Sequence, residues 1–166
     1  VFTTDPPTSS VSEVDVELLG ILVSAVIDGA ISRLDLLARR VYGCQDQGMA
    51  DSPTWRVHPS DLPALPISDA HIEGDIEVRL VSREPFILEN TFAPGTRLPL
   101  HSHGCDTLYI FKSGEFHIEG EGVFTAGDIR FVRAGHAYGP EWAGDEGAVL
   151  QIIGLAPGFN TVYPGD

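Results

Sequence analysis

From Ile76 to Gly154 the chain is cut into short apolar or alternating runs, and this spacing constrains its fold more than any other feature. The runs 76–82, 86–92, 98–103, 107–112, 115–119, 128–133 and 147–154 are separated by Pro94-Gly95, Ser113-Gly114, Gly120–Gly122, Ala126-Gly127 and Ala134-Gly135. Each run has the length of a strand and each break has turn chemistry. Many short strands at regular spacing predict an all-β sandwich or barrel. Its expected core is Phe111, Phe116, Ile118, Phe124, Ile129 and Phe131.

The first third of the chain has a different texture. Residues 1–10 are polar and carry Pro6-Pro7, which predicts a loosely ordered lead-in. Ser10-Val11-Ser12-Glu13 fits a capping box and Gly43 fits a C-cap, so residues 11–43 are expected to be one helix, or two broken near Gly29. At 100° per residue, Glu13, Glu17, Asp28 and Asp35 fall on one stripe, opposite Val14, Leu18, Leu22, Val26 and Leu37. Asp15, Glu17 and Asp28 interrupt any membrane span, and the acidic stripe disfavours a lipid surface. The apolar face is therefore expected against the barrel or against a second subunit. Residues 44–166 form the barrel domain in this reading, beginning with a loop-rich stretch to residue 75.

A chain of 166 residues is about one domain. Its formal net charge of −14, from 24 acids against 10 lysines and arginines, would repel a phosphate backbone, so nucleic acid is not an expected partner. Cys44 and Cys105 fit neither a zinc pattern nor a disulfide framework, and nothing at the N-terminus reads as a signal peptide. A reducing cytoplasm is the expected compartment.

His101 and His103 are separated by one residue on an expected strand, so both imidazoles leave the same face and can converge on one ion. Around them the chain reads Gly95-TRLPL-His101-Ser-His103-GCD-Thr107-LYIFKS-Gly114. A later stretch reads Gly127-DIRFV-Arg133-Ala134-Gly135-His136-Ala137-Tyr138. This pair of segments resembles the two motifs of the cupin superfamily, G-x5-H-x-H-x3–4-E-x6-G and G-x5-P-x-G-x2-H-x3-N. Both glycines and both histidines of the first motif match, with Thr107 where the glutamate belongs. In the second, Gly127 and Gly135 match, Arg133 replaces the proline, Tyr138 stands in the histidine's place and Trp142 in the asparagine's.

The resemblance spans roughly residues 76–155 and implies a small single-domain RmlC-like cupin, a double-stranded β-helix or jelly-roll barrel. Metal-binding cupins hold iron, manganese, zinc or nickel on the motif histidines and glutamate. Carried over, this gives His101 and His103, with a third ligand to be found. His136, which shares strand parity with Tyr138, is the leading candidate and Glu141 the reserve, while Tyr138 is a candidate proton donor or oxygen ligand. A three-histidine set would leave the ion's full charge to polarise a chelating oxygen substrate.

Two functions follow. The first is a mononuclear metal-dependent dioxygenase, or related lyase or isomerase, acting on a small oxygenated molecule, with Tyr109 or Tyr138 orienting substrate or moving a proton. The second is a non-catalytic module sensing a metal or metabolite, which the missing glutamate and in-register histidine favour. Sugar-nucleotide work would want phosphate-binding cations, and Lys112 is the only lysine. Cys105 is expected to be a small buried residue, His117 to face outward, His58 and His71 to lie on the surface, and Trp142 to rim the mouth or anchor a partner. The resemblance also implies a homodimer.

Overall fold

Strand formation follows the alternation closely in the middle of the domain. The computed structural model describes residues 54–67, 69–157 and 159–165. The lead-in, the helix expected over 11–43 and Cys44 lie outside these. A 3-10 turn at Pro59–Asp61 precedes ten strands: β1 Leu65–Ile67, β2 Ile76–Arg83, β3 Phe86–Phe92, β4 Arg97–Leu98, β5 Ser102–His103, β6 Thr107–Ile118, β7 Gly122–Thr125, β8 Ile129–Val132, β9 Glu141–Gly154 and β10 Thr161–Val162. Eight form one sheet in the order β1-β2-β3-β9-β6-β7, with β4 also on β9 and β8 also on β6, while β5 and β10 pair separately. Every pairing is antiparallel.

The register sorts side chains to two faces. Leu80, Leu88, Ile152, Tyr109 and Arg130 lie opposite one another across successive strands, and so do Val78, Asn90, Leu150 and Phe111. These rows point inward. With Ile76, Phe92, Phe116 and Ile118, their apolar members form one buried core, against which the half-buried Leu80 packs. The residues between them, such as Leu108 and Ile153, take the outer face.

Two expectations need correcting. Ser113-Gly114 does not end a strand: β6 runs through it for 12 residues. The chain absorbs the glycine as an irregularity, with register shifts against β9 at Phe111/Ser113 and at Gly114/Phe116. Ile129 and Phe131 are not core either, being 65% and 46% exposed. Parity decides this: Arg130 and Val132 are the buried residues of β8, so their neighbours face out. Phe111, Phe116 and Ile118 are buried, and Phe124 packs partly against the core. Among the described residues no helix is long and apolar enough to cross a membrane.

Candidate functional site

Backbone pairing brings the two histidines and Tyr138 together. His101 N–H donates to the Tyr138 carbonyl at 3.0 Å and Tyr138 N–H donates to the His101 carbonyl at 2.9 Å. His103 is held from the other side, because β5 pairs with β10 at Thr161 and Phe159 stacks on its ring with centroids 4.6 Å apart. Both imidazoles are buried, as their shared parity requires.

Hydrogen bonding fixes the tautomer of each ring. His101 Nδ1 lies 2.9 Å from the Pro99 carbonyl oxygen, and His103 Nδ1 lies 2.8 Å from that of Asn160. A carbonyl oxygen only accepts, so each Nδ1 carries a hydrogen. Burial lowers the pKa of both rings, that of His103 to about 4, with His101 beside it adding to the effect. Each ring is therefore neutral near pH 7, and each Nε2 is a bare lone pair. Both lone pairs meet the Tyr138 hydroxyl, at 2.9 Å from His101 Nε2 and 2.9 Å from His103 Nε2.

One phenol hydrogen cannot serve two acceptors. The Tyr109 hydroxyl stands 2.5 Å from that of Tyr138 and can donate to its oxygen, but no hydrogen reaches the second imidazole. Glu141 Oε1 is 3.8 Å from His101 Nε2, beyond hydrogen-bond reach. Burial raises the Glu141 carboxyl to about 8, with Arg130 pulling the other way. Burial also pushes both phenols above their ordinary range.

Behind the phenols stands Arg130. Its guanidinium lies 4.0 Å from the Tyr138 ring centroid and 5.3 Å from that of Tyr109. It is anchored on Glu121 by contacts of 2.7 and 2.5 Å, while its Nη1 has no hydrogen-bond partner among the described residues. With Ile129 and Phe131 expected in the core, nothing in the run Ile129-Arg130-Phe131-Val132 marked Arg130 as inward or as part of a site.

The structure brings together His101, His103, Tyr109, Tyr138 and Glu141, and leaves His136 apart. His136 sits on the exposed turn after β8, where its N–H donates to the Arg133 carbonyl. The local pairing of Tyr138 with His101 fixes the register, so no shift aims His136 inward. Thr107 is fully buried and its hydroxyl donates to the Cys105 carbonyl at 3.0 Å, so Glu141 on β9 is the nearby carboxylate. Cys105 is buried and free. His117 stacks on Trp142 with centroids 5.2 Å apart, and Arg97 lies over the same indole. His58 is exposed and bonds to Ser60. His71 is exposed, as expected, and it stacks on Tyr163 and pairs with Asp69.

A cavity of about 60 Å3 adjoins this cluster. His101, His103, Tyr109 and Glu141 line it together with an apolar wall that includes Leu88, Phe92, Leu150 and Ile152. Asp69, Asn90 and Tyr163 also reach it, and sequence reasoning singled out none of these three. Among the described residues no three His, Cys, Asp or Glu side chains gather into a metal cage of their own. Two bare imidazole nitrogens with phenol and carboxylate oxygens nearby are nonetheless a donor set that suits a borderline first-row divalent ion. Nδ1–H groups fixed on backbone carbonyls are also the usual support of ligating histidines.

No protein-family model and no curated protein matches the sequence. Solved structures do match its shape. An acetylacetone dioxygenase from Acinetobacter johnsonii aligns at TM-score 0.54 and 16% identity over 68% of this chain and 79% of its own. The polyketide cyclase RemF from Streptomyces resistomycificus aligns at TM-score 0.53 and 16% identity over 68% and 88%. A predicted oxalate decarboxylase from Thermotoga maritima aligns at TM-score 0.50 and 25% identity over 61% and 100%. Likeness at such identities is a likeness of fold. With the motif running from Gly95, ahead of β4, to Gly114 within β6, and with the His101–His103 pair buried between them, this all-β chain has the cupin fold.

Proposed function

We propose that the protein is a metal-binding cupin acting on a small oxygenated molecule. His101 and His103 are its nitrogen ligands, and Tyr138 and Glu141 are the nearest oxygen donors. The observation that carries this reading is the pair of bare Nε2 atoms aimed at a single phenol hydrogen. A cation satisfies both lone pairs at once; the phenol alone satisfies one. When bound, a first-row ion supplies Lewis-acid polarisation of a chelating oxygen and, if iron, electrons for dioxygen chemistry.

The protein's own groups do the rest in this reading. Backbone carbonyls of Pro99 and Asn160 hold the imidazole planes. Tyr138 and Tyr109 form a two-hydroxyl relay that can hold or pass a proton at the edge of the cavity. The apolar wall excludes water from the reacting molecule. A neutral nitrogen pair in a small, mostly apolar cavity supports a dioxygenase or a related lyase or isomerase, and the fold shared with an acetylacetone dioxygenase agrees with it.

One feature favours a second reading. The Tyr138 hydroxyl already lies where the two imidazoles converge, which suits a metal-free pocket that senses a metabolite. Elemental analysis of full-length protein, purified without a metal-affinity tag, separates the two. We expect about one equivalent of iron, manganese, nickel or zinc, lost in His101→Ala and His103→Ala, and affinity about 10- to 100-fold weaker in Tyr138→Phe. Oxygen uptake with small diketones then tests the reaction class. Protein that is metal-free and stays so after incubation with all four ions would sink the metal reading and leave the sensing module. The homodimer expected from the sequence belongs to the same proposal, and light scattering on the full chain tests it.

A further inference from the structure

Asn90 is a polar side chain in an apolar row. It points inward from β3, level with Val78 on β2 and Leu150 on β9, and the inward residues on either side of it along β3 are Leu88 and Phe92. It is 8% exposed, lines the cavity, and its Oδ1 has no hydrogen-bond partner among the described residues. Buried carboxamides are nearly always hydrogen-bonded, and a leucine here would continue the wall on both sides. Which amide atom is oxygen is an assignment, so the observation concerns the carboxamide as a whole.

Asn90 is separate from the other polar groups named along the cavity. Asp69 accepts from His71 through Oδ1 and from Tyr163 through Oδ2, and the His101–Tyr138 cluster is the pole described above. Along the sheet Asn90 sits one inward row beyond Leu88, whose row holds Ile152 and Tyr109. That step is about 7 Å. A cavity of about 60 Å3, at roughly 10–15 Å3 for each water-sized group, takes about four to six non-hydrogen atoms. No lysine or arginine lines it, while Asp69 and Glu141 do, so an anionic ligand has no counter-charge on the wall.

We propose that Asn90 is a specificity determinant, taking the hydroxyl of a small neutral hydroxyketone whose other oxygen lies at the histidine pole. This rests on the reading of that pole as the ligand-binding end of the cavity. The ligand spans the cavity with a polar group at each end and a short carbon skeleton against the apolar wall between them.

The test compares 3-hydroxybutan-2-one with butan-2-one, which lacks the hydroxyl, by NMR titration of full-length protein. Wild type should bind the hydroxylated probe about tenfold or more tightly than the other. Asn90→Leu, close in shape but without hydrogen-bonding atoms, should bring the two affinities within about twofold without weakening butan-2-one. Asn90→Ala should do the same and serves if the leucine variant misfolds. Equal binding by wild type, no binding of the hydroxylated probe, or a preference that survives both substitutions would each overturn the proposal. Metal content measured on the same samples keeps the two readings apart. Metal-free wild type that retains the Asn90-dependent preference sinks only the metal assignment, whereas metal-loaded wild type that binds both probes alike sinks only the role of Asn90.

Discussion

Gly114→Ala should destabilise the domain by about 4 kcal/mol or more, in the range reserved for severe core or backbone damage. Gly114 has φ +73°, and a Cβ there would lie 2.0 Å from the Gly147 carbonyl oxygen and 2.9 Å from Ala148 Cα. Both are backbone atoms of β9, so relief means separating β6 from β9. Those two strands make the widest pairing in the sheet, from Thr107↔Gly154 to Ile118↔Glu141. The register shifts on either side of Gly114 set Tyr109 and Glu141 relative to one another, so the fold and the site depend on one irregularity. Gly120→Ala is the control, because φ is +79° there with nothing within 4 Å of the Cβ position. It should cost only the left-handed backbone penalty of about 1–2 kcal/mol. Urea denaturation of the three proteins checks this, and a Gly114→Ala loss no larger than that of Gly120→Ala would refute the packing argument.

The same residue marks how far the sequence could be read. Period-two alternation and Gly-containing turns located most of the strands, and Gly95 with Gly114 framed His101 and His103, because those signals are local. Ser113-Gly114 looked like any other break, since a glycine that ends a strand and one that relieves a close approach to a neighbouring strand are identical in sequence. Ile129 and Phe131 failed for a related reason: hydrophobicity suggested core, while the inward row was claimed by Arg130 and Val132, which depends on partners more than twenty residues away at Thr107 and Tyr109. His136 lost its expected place to Tyr138 through the backbone pairing with His101. Glu141 was named only as a reserve, since its approach to His101 runs through the β9 register. Asn90 carried no signal in sequence because an asparagine at inward parity reads as ordinary strand.

Glu141 makes the acid–base state of the site measurable. Its carboxyl is raised by burial to about 8, against roughly 4.3 in an unfolded chain. A folded pKa above the unfolded one means that the folded state holds the extra proton. Its stabilising effect is complete below about pH 4.3 and is lost as pH rises through 8. The histidines act in the opposite direction: their folded values are lowered, that of His103 to about 4, so stability is lost as pH falls below the unfolded value of about 6.5. Below pH 6.5 the two effects offset each other, and above it Glu141 acts alone. From pH 6.5 to 8.5, chelator-treated wild type should therefore lose on the order of 2 kcal/mol, at 1.36 kcal/mol per pKa unit. Glu141→Gln, which keeps the shape and cannot ionise, should be nearly flat across that window. Urea unfolding at the two pH values reads the difference directly, and parallel slopes in both proteins would remove Glu141 as the group responsible. Re-adding the ion gives the further step: if the carboxylate faces a bound cation, the wild-type loss disappears, because the cation replaces the proton that burial had made the side chain keep.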